Sequence, residues 1–256
     1  MSVNEITAAL VTWDGHTAGA LSHRCGVPHV EIFDVVGSTL DVAHELAESG
    51  APSGTLVVAD AQVSGRGRFG RAWSSEPGRG VWCTILERPR DALGLDLLSL
   101  RVGLRLALAL DAFAGAPVAI KWPNDLQVEG AKLGGILVET RWSGATPLWI
   151  AVGVGINVQP PSGVTGATGL RRGTQRADVL GAIIPAIRAA AAATGALTSD
   201  EMSRLQSRDA LAGRRITSPS DGVVVGIDEL GALLVRDEDG HVAAHRAGTV
   251  TLAEDR

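Results

Sequence analysis

Apolar and polar positions alternate along the chain with periods that predict a mixed set of strands and helices. Runs rich in β-branched and other apolar residues predict strands at 30–36, 55–62, 81–86, 118–122, 132–139 and 148–158. A stripe of leucines at helical spacing predicts an amphipathic helix over 96–115. Further helices are predicted over 39–49, with Ser38 as N-cap, over 176–194, and from Thr198 to Gly213, with Glu201 completing a capping box.

The pattern changes after residue 213, where only short apolar runs remain. They predict five short strands separated by turns such as Asp239-Gly240, at 214–217, 222–228, 231–236, 241–246 and 249–252. We therefore expect a short N-terminal extension (1–29), a large α+β domain (30–212) and a small β-barrel-like domain (213–256).

Composition narrows the class of protein. The 256 residues include 45% hydrophobic residues and carry a net charge of −5, which argues against a nucleic-acid-binding surface. The sequence predicts no signal peptide and no membrane span, so we expect a cytoplasmic protein. Two cysteines, Cys25 and Cys83, form neither a disulfide framework nor a metal cluster, and each is expected to be a small buried side chain.

The most unusual segment is the stretch 65–73, Gly-Arg-Gly-Arg-Phe-Gly-Arg-Ala-Trp, which follows a predicted buried strand. Its glycines allow the backbone to fold closely around a ligand, and its arginines suit an anion such as phosphate. Gly65, Gly67 and Gly70 match G-x-G-x-x-G, but the turn residues after Trp73 exclude the helix that a dinucleotide-binding fold requires. An exposed surface loop is the alternative interpretation.

Polar residues at the ends of other predicted elements indicate further parts of one site. Ser38 begins a helix, and Lys121, Asn124 and Asp125 follow a buried strand, although an N-cap and a solvent-facing turn would explain them equally.

In the last two large strands, period-two alternation places Lys132 and Gly134 on one face. The same alternation places Gly153, Gly155 and Asn157 on one face, and such bare faces often mark the approach of a ligand.

His44 belongs to half of a zinc-binding H-E-x-x-H pattern. The second histidine is missing, so we interpret His44 as a solvated helix residue.

Taken in order, these segments resemble the biotin–protein ligases, in the short form that lacks an N-terminal DNA-binding domain. The resemblance covers residues 30 to 256 and is carried by the motifs Gly37-Ser38-Thr39, Gln62, Gly65 to Trp73, Lys121-Trp-Pro-Asn-Asp-Leu126, Lys132-Leu-Gly-Gly-Ile-Leu-Val-Glu139 and Gly153-Val-Gly-Ile-Asn157. Leu40 and Val63-Ser64 depart from the family pattern, and Leu40 replaces a polar residue expected near the biotin head group.

The resemblance implies a fold and an activity. The fold would be a mixed sheet with flanking helices, akin to class II aminoacyl-tRNA synthetases, plus a small C-terminal SH3-like β-barrel. Biotin would react with Mg-ATP to give biotinoyl-AMP, and a lysine of a biotin carboxyl carrier protein of an acyl-CoA carboxylase would then accept the biotinoyl group. No nucleic acid or membrane partner is implied, and a homodimer is one option for the assembly.

The resemblance also implies roles for individual residues. Arg68 and Lys132 would be catalytic. The biotin-binding residues would be Ser38, Thr39, Gln62, Arg66, Gly67, Arg68, Lys132, Gly134, Gly153 and Gly155. The ATP-binding residues would be Arg68, Trp73, Lys121, Asn124, Asp125, Lys132 and Asn157, with Asp125 as a magnesium ligand. A lipoate or octanoate ligase or transferase of the same fold and a non-enzymatic biotin-sensing module are the alternatives.

Overall fold

A computed structural model describes residues 11–253 of the chain. Its strands, in chain order, are β1 (Thr12–Trp13), β2 (His16–Thr17), β3 (His29–Val36), β4 (Thr55–Gln62), β5 (Gly80–Glu87), β6 (Ala119–Lys121), β7 (Asp125–Val128), β8 (Ala131–Ser143), β9 (Thr146–Asn157), β10 (Arg215–Ser218), β11 (Gly222–Ile227), β12 (Leu233–Arg236), β13 (Val242–His245) and β14 (Thr251–Leu252). The α-helices are α1 (Ala18–Cys25), α2 (Thr39–Glu48), α3 (Leu98–Leu110), α4 (Arg176–Ala191) and α5 (Ser199–Arg208).

The centre of the protein is a seven-stranded mixed sheet with the order β3-β4-β5-β9-β8-β7-β6. Only the pair β3–β4 is parallel, and the other neighbours are antiparallel. Helices α3 and α4 contact this sheet on the side of the main hydrophobic core, and α2 contacts it through β4, β5 and β9. The predicted mixed α+β architecture is thus confirmed.

The two faces of β9 differ as its alternation predicts. Val152, Val154 and Ile156 belong to the main hydrophobic core, whereas Ala151 belongs to a smaller cluster on the opposite face. That smaller cluster includes Leu40 of α2, so α2 covers the face on which Gly153 and Gly155 lie. The sequence pattern therefore identified the face of the sheet that carries the glycines.

Some predicted boundaries of helices and strands are wrong, because short turns lie where the sequence predicted helix, or a strand begins where it predicted a loop. The helix predicted over 96–115 is confined to α3, after a single 3-10 turn at Leu95–Leu97. Helix α5 ends at Arg208 because the Asp209 carboxylate accepts a hydrogen bond from the Leu211 N–H and forms a turn. The turn after β6 continues directly into β7, so Asp125 begins a strand.

The described part of the N-terminal extension packs into the main core. Strands β1 and β2 form a hairpin followed by α1, and the side chains of Trp13, Leu21 and Cys25 are buried there. Residues 1–10 of the predicted extension lie outside the described residues.

The C-terminal strands form a separate antiparallel sheet with the order β13-β12-β11-β10-β14. Its core includes Ile216 and Leu233, and Trp122 from the end of β6 is buried among these residues. The Trp122 indole N–H donates a hydrogen bond to the Gly231 carbonyl at 2.9 Å, which joins the two sheets. The five strands fit the predicted small β-domain, while its closure into an SH3-like barrel and the boundary at residue 213 stay predictions.

None of the helices between residues 11 and 253 combines the length and the apolar character that crossing a bilayer requires.

Candidate active site

A cavity of about 210 Å³ lies where α2, the sheet, the β6–β7 turn and the segment Gly248–Val250 meet. Thirteen of the predicted site residues line it: Ser38, Thr39, Gln62, Arg66, Gly67, Arg68, Trp73, Lys121, Asn124, Asp125, Lys132, Gly153 and Gly155. Segments far apart in the sequence therefore converge on one place. Gly134 and Asn157 are not among the lining residues.

The arginine loop, residues 65–73, covers this cavity as a short hairpin. The Trp73 N–H donates to the Gly65 carbonyl at 2.8 Å, and the Gly67 N–H donates to the Arg71 carbonyl at 2.7 Å. The chain reverses at Phe69 and Gly70, which have φ angles of 57° and 71°. Such left-handed backbone is readily adopted by glycine, and its presence explains why the loop can turn so tightly.

The arginines of the loop contact residues from several segments that are distant in the sequence. Arg66 reaches Asp41 and Glu139, on α2 and β8. Arg68 donates to the Asn124 side chain at 3.4 Å and to the Gly248 carbonyl at 3.3 Å, and Arg71 donates to Thr249. The C-terminal sheet thus contributes to the site, which the sequence did not indicate.

Glycines form the floor of the cavity, because neighbouring side chains leave no room there for a Cβ atom. A Cβ atom at Gly155 would lie 2.5 Å from the Trp73 indole nitrogen, and one at Gly135 would lie 3.1 Å from the Trp73 ring. A Cβ atom at Gly153 would lie 3.0 Å from the Leu40 side chain. Contacts below 3.4 Å are close for carbon atoms, so the floor admits no larger side chain unless its neighbours move.

The prediction that Lys132 and Gly134 share a face is wrong. The pairing of β7 with β8 shifts by one residue, so Leu126 pairs with Gly134 while Gln127 pairs with Lys132. This bulge reverses the alternation, and Lys132 shares the cavity side with Gly135. A Cβ atom at Gly134 would instead point at the core residue Ile156, 2.7 Å away.

Asn157 follows the regular alternation of β9 but does not line the cavity. It is buried and contacts the cavity only indirectly, because its side-chain N–H donates to the Lys132 carbonyl at 3.3 Å. Asn157 therefore holds the backbone that carries Lys132.

The cavity is strongly cationic. Its lining includes Arg66, Arg68, Arg71, Lys121 and Lys132, and Asp125 is the one carboxylate among the described lining residues. The Lys132 ammonium lies 2.8 Å from the Asp125 carboxylate and 5.1 Å from the centre of the Trp73 ring. This excess of positive charge suits a ligand that carries several negative charges, such as a nucleotide triphosphate.

Partial burial changes the proton affinity of two of these cations. Burial lowers the pKa of the Lys121 ammonium, and the nearby Asp125 carboxylate opposes that shift. Burial likewise lowers the pKa of the Arg68 guanidinium, again against the attraction of Asp125. Removing a cation from water has a free-energy cost that a bound anion would offset. Both side chains are therefore suited to an anionic ligand.

Other lining residues, Ser38, Thr39 and Gln62, are polar and uncharged. The Gln62 side-chain oxygen accepts from the Thr39 backbone N–H at 2.8 Å, and the Gln62 side-chain N–H donates to Ser75 at 2.7 Å. The Thr84 hydroxyl donates to the Thr39 hydroxyl at 2.9 Å. Ser38 caps α2 as predicted, accepting from the Leu40 N–H.

Ser75 and Thr84 were missed as parts of this polar cluster. Both are buried, and Thr84 lies within the otherwise apolar run 81–86. A hydroxyl inside a buried strand needs a hydrogen-bond partner, and that requirement is the signal that could have identified it.

The residues present fit a magnesium ion only in combination with a substrate. Magnesium is commonly held by one or two carboxylates together with substrate phosphates. Asp125 can provide one carboxylate oxygen in the cavity. The described residues hold one cluster of at least three close metal-binding groups, Asp237, Asp239 and His241, in the exposed turn after β12.

Comparison with known proteins places this architecture in a family. Residues 32–157 match the model of the biotin/lipoate A/B protein ligase family. The biotin–[acetyl-CoA-carboxylase] ligase of Paracoccus denitrificans is 31% identical over 217 residues, which cover 75% of this chain and 88% of that protein. The structure of the Aquifex aeolicus biotin protein ligase in complex with biotin and ATP superposes with a TM-score of 0.73 at 26% identity, covering 89% of this chain and 100% of that one.

The chain belongs to the biotin/lipoate A/B protein ligase family. Among its relatives it is similar to the biotin–protein ligases. The bifunctional ligase/repressor BirA of Bacillus spizizenii is 42% identical over 135 residues. The match covers 52% of this chain and only 42% of that protein.

Proposed function

We propose that this protein is an ATP-dependent biotin–protein ligase that activates biotin as biotinoyl-AMP and transfers it to a lysine of a biotin carboxyl carrier protein. The observation that carries the proposal is the cavity itself. It joins a neutral polar end to a cationic end beneath one arginine loop. The biotin ligases among its relatives support the choice of substrate.

The first step needs no nucleophile from the protein. A carboxylate oxygen of biotin attacks the α-phosphorus of ATP, and the bond to the leaving pyrophosphate oxygen breaks. Arg68 and Lys132 both line the cavity and stabilise the negative charge that develops at the reacting groups. Catalysis then consists of positioning the reactants and compensating their charge.

The two ends of the adenylate are assigned from the chemistry of the walls. Ser38, Thr39 and Gln62 offer hydrogen bonds to the biotin ring, and Gly153 and Gly155 give it a flat floor. At the cationic end, Trp73 offers a stacking surface for adenine, and Lys121, Asn124 and Asp125 lie toward the phosphates. Magnesium held by Asp125 and the phosphates would supply further compensation of charge. Asn157 acts through the backbone of Lys132.

In the second step the carrier's neutral lysine amine attacks the acyl carbon of biotinoyl-AMP. The bond from that carbon to the phosphate oxygen breaks, AMP leaves, and the nitrogen releases a proton to solvent. The cavity of about 210 Å³ is smaller than the ~300–1,000 Å³ of typical ligand pockets, so the arginine loop and Trp73 must shift to admit the substrates. We place these reactions in the cytoplasm and assign them mainly to residues 30–212, with the segment Gly248–Val250 completing the lining of the cavity.

The activity is tested directly with the purified chain. With biotin and Mg-ATP we expect release of pyrophosphate, and labelling of an apo carrier domain when it is added. Lipoate in place of biotin should support less than a tenth of that rate, because hydrogen-bonding side chains at the polar end select against a ligand that lacks matching groups. If pyrophosphate is released with lipoate but not with biotin, the protein is a lipoate ligase instead.

Replacing Arg68 with glycine should let biotinoyl-AMP escape before transfer. Loss of a hydrogen bond from a charged group, worth about 1.5–3 kcal/mol, predicts a release rate roughly 10 to 100 times faster. Free adenylate would then label a bystander protein such as albumin.

Arg90→Gly is the matched control, because Arg90 is an exposed arginine outside the cavity. It should label only the carrier. If Arg68→Gly is as selective for the carrier as Arg90→Gly, Arg68 does not retain the adenylate.

A further inference from the structure

His44 was expected to be solvated, and that expectation is wrong. Its side chain is only 15% exposed and is hydrogen-bonded at both ring nitrogens. The Trp149 indole nitrogen lies 2.9 Å from His44 Nδ1, and His44 Nε2 lies 2.9 Å from Glu139 Oε2. An indole N–H can only donate, so Nδ1 is the acceptor and the ring proton is on Nε2, where it faces Glu139.

Glu139 connects this histidine to the arginine loop. The same oxygen, Glu139 Oε2, lies 3.4 Å from Arg66 Nη2. Arg66 Nη2 also lies 2.7 Å from the Asp41 carboxylate. One carboxylate from α2 and one from β8, neither of which lines the cavity, thus hold Arg66. Because Glu139 has a donor on each side, its carboxylate has little freedom to turn away.

The series begins in well-packed structure and ends at the arginine loop. Trp149 is buried, with the guanidinium groups of Arg88 and Arg141 at 5.7 and 5.8 Å from its ring centre. Arg66 is in the first arm of the loop hairpin, between the Gly65 and Gly67 backbone hydrogen bonds, and lines the cavity. A continuous series of polar contacts through three side chains therefore links the packed core to the loop.

We infer that His44 and Glu139 are positioning residues that hold Arg66, and with it the first arm of the arginine loop, over the biotin end of the cavity. Neither residue lines the cavity. Their effect on the reaction passes through Arg66. For its kinetic consequence, this inference rests on the proposed function.

Amide hydrogen exchange of the loop in the unliganded protein tests the inference without any activity. In Glu139→Gln, which conserves shape but removes the charge, the Gly67 and Trp73 amides should exchange about threefold faster. Glu48→Gln is the matched control, because Glu48 lies in the same groove but pairs with Arg141 rather than with Arg66. Equal exchange in these two variants would overturn the inference.

His44 is tested by the same measurement. His44→Phe removes both hydrogen bonds at similar volume and should raise loop exchange as Glu139→Gln does. His44→Gln retains a donor toward Glu139 and should restore slower exchange. A purely structural histidine would give no such restoration, and that result would also overturn the inference.

Steady-state kinetics then distinguish a selective loss of Arg66 positioning from a general loss of activity. Glu139→Gln should raise the KM for biotin about threefold and leave the KM for ATP and kcat within a factor of two. In an Arg66→Ala background the same substitution should change nothing further, because the residue through which it acts is gone. An undiminished effect in that background would contradict the inference. Absence of pyrophosphate release in the wild type would instead refute the proposed function. The hydrogen-exchange experiment would still decide whether His44 and Glu139 position Arg66.

Discussion

Lys132→Ala should slow the formation of biotinoyl-AMP by a factor of about 100 to 1,000, the range seen when one preorganised group that stabilises a developing charge is removed. Lys132 is suited to that role because its ammonium lies in the cavity that Arg68 also lines, 2.8 Å from Asp125. Its backbone is held by Asn157, so the side chain is in place before substrates bind. Single-turnover pyrophosphate release at saturating biotin and Mg-ATP measures the effect.

The carrier protein supplies the control for this prediction. Affinity for the apo carrier domain should change by less than a factor of two in Lys132→Ala, because the ammonium acts on the adenylate and not on the protein surface. Lys132→Arg retains a cation and should recover part of the rate. If adenylate formation and carrier binding fall equally, Lys132 has a structural role and its catalytic assignment is wrong.

Glu201→Gln should lower the free energy of unfolding by about 3 kcal/mol, as expected when one partner of a buried ion pair is removed. Arg101 on α3 is 2% exposed, and its Nε lies 3.0 Å from the Glu201 carboxylate on α5. Glu201 also accepts from the Thr198 N–H in the capping box. Glutamine conserves the shape but leaves the Arg101 charge buried without its counter-charge. Urea denaturation at neutral pH measures the loss.

The exposed pair between Arg204 and Asp200 on the same helix provides the matched control. Arg204→Gln should cost at most about 0.5 kcal/mol, because exposed pairs four residues apart contribute little. A cost for Glu201→Gln as small as that of Arg204→Gln would show that the buried pair does not stabilise the junction of α3 and α5.

The same pair predicts a dependence on pH. Burial alone would raise the pKa of Glu201, but the hydrogen bonds from Arg101 and Thr198 outweigh burial and lower it. The folded protein therefore gains stability from ionised Glu201 above the unfolded value of about 4.3, and loses it as the pH falls through the lower folded value. The difference between wild type and Glu201→Gln should shrink over that acidic window and be constant above it.

Features that depend on local sequence were predictable. The N-cap of α2 at Ser38 and the capping box at Thr198 need only residues within one helical turn. The glycine face of β9 follows from period two, because that strand is regular from Gly153 to Asn157 where it pairs with β5. In each case the physical cause lies within the segment that shows the pattern.

Features that depend on distant partners could not be predicted from the sequence. Gly134 was assigned to the cavity because a bulge at Leu133 leaves no mark in the apolar alternation of β8. His44 was judged solvated because its partners Glu139 and Trp149 are 95 and 105 residues away. The contacts of the arginine loop with Gly248 and Thr249 need the C-terminal sheet to be in place first. Which of the lining residues contact ligands stays a prediction.

A crystal structure of the protein with biotin and Mg-ATP is the decisive measurement for the proposed site. We expect biotinoyl-AMP beneath the arginine loop, with the acyl phosphate between Arg68 and Lys132 and the biotin ring above Gly153 and Gly155. An empty cavity under saturating ligand, or an adenylate bound away from the arginine loop, would contradict the proposed function.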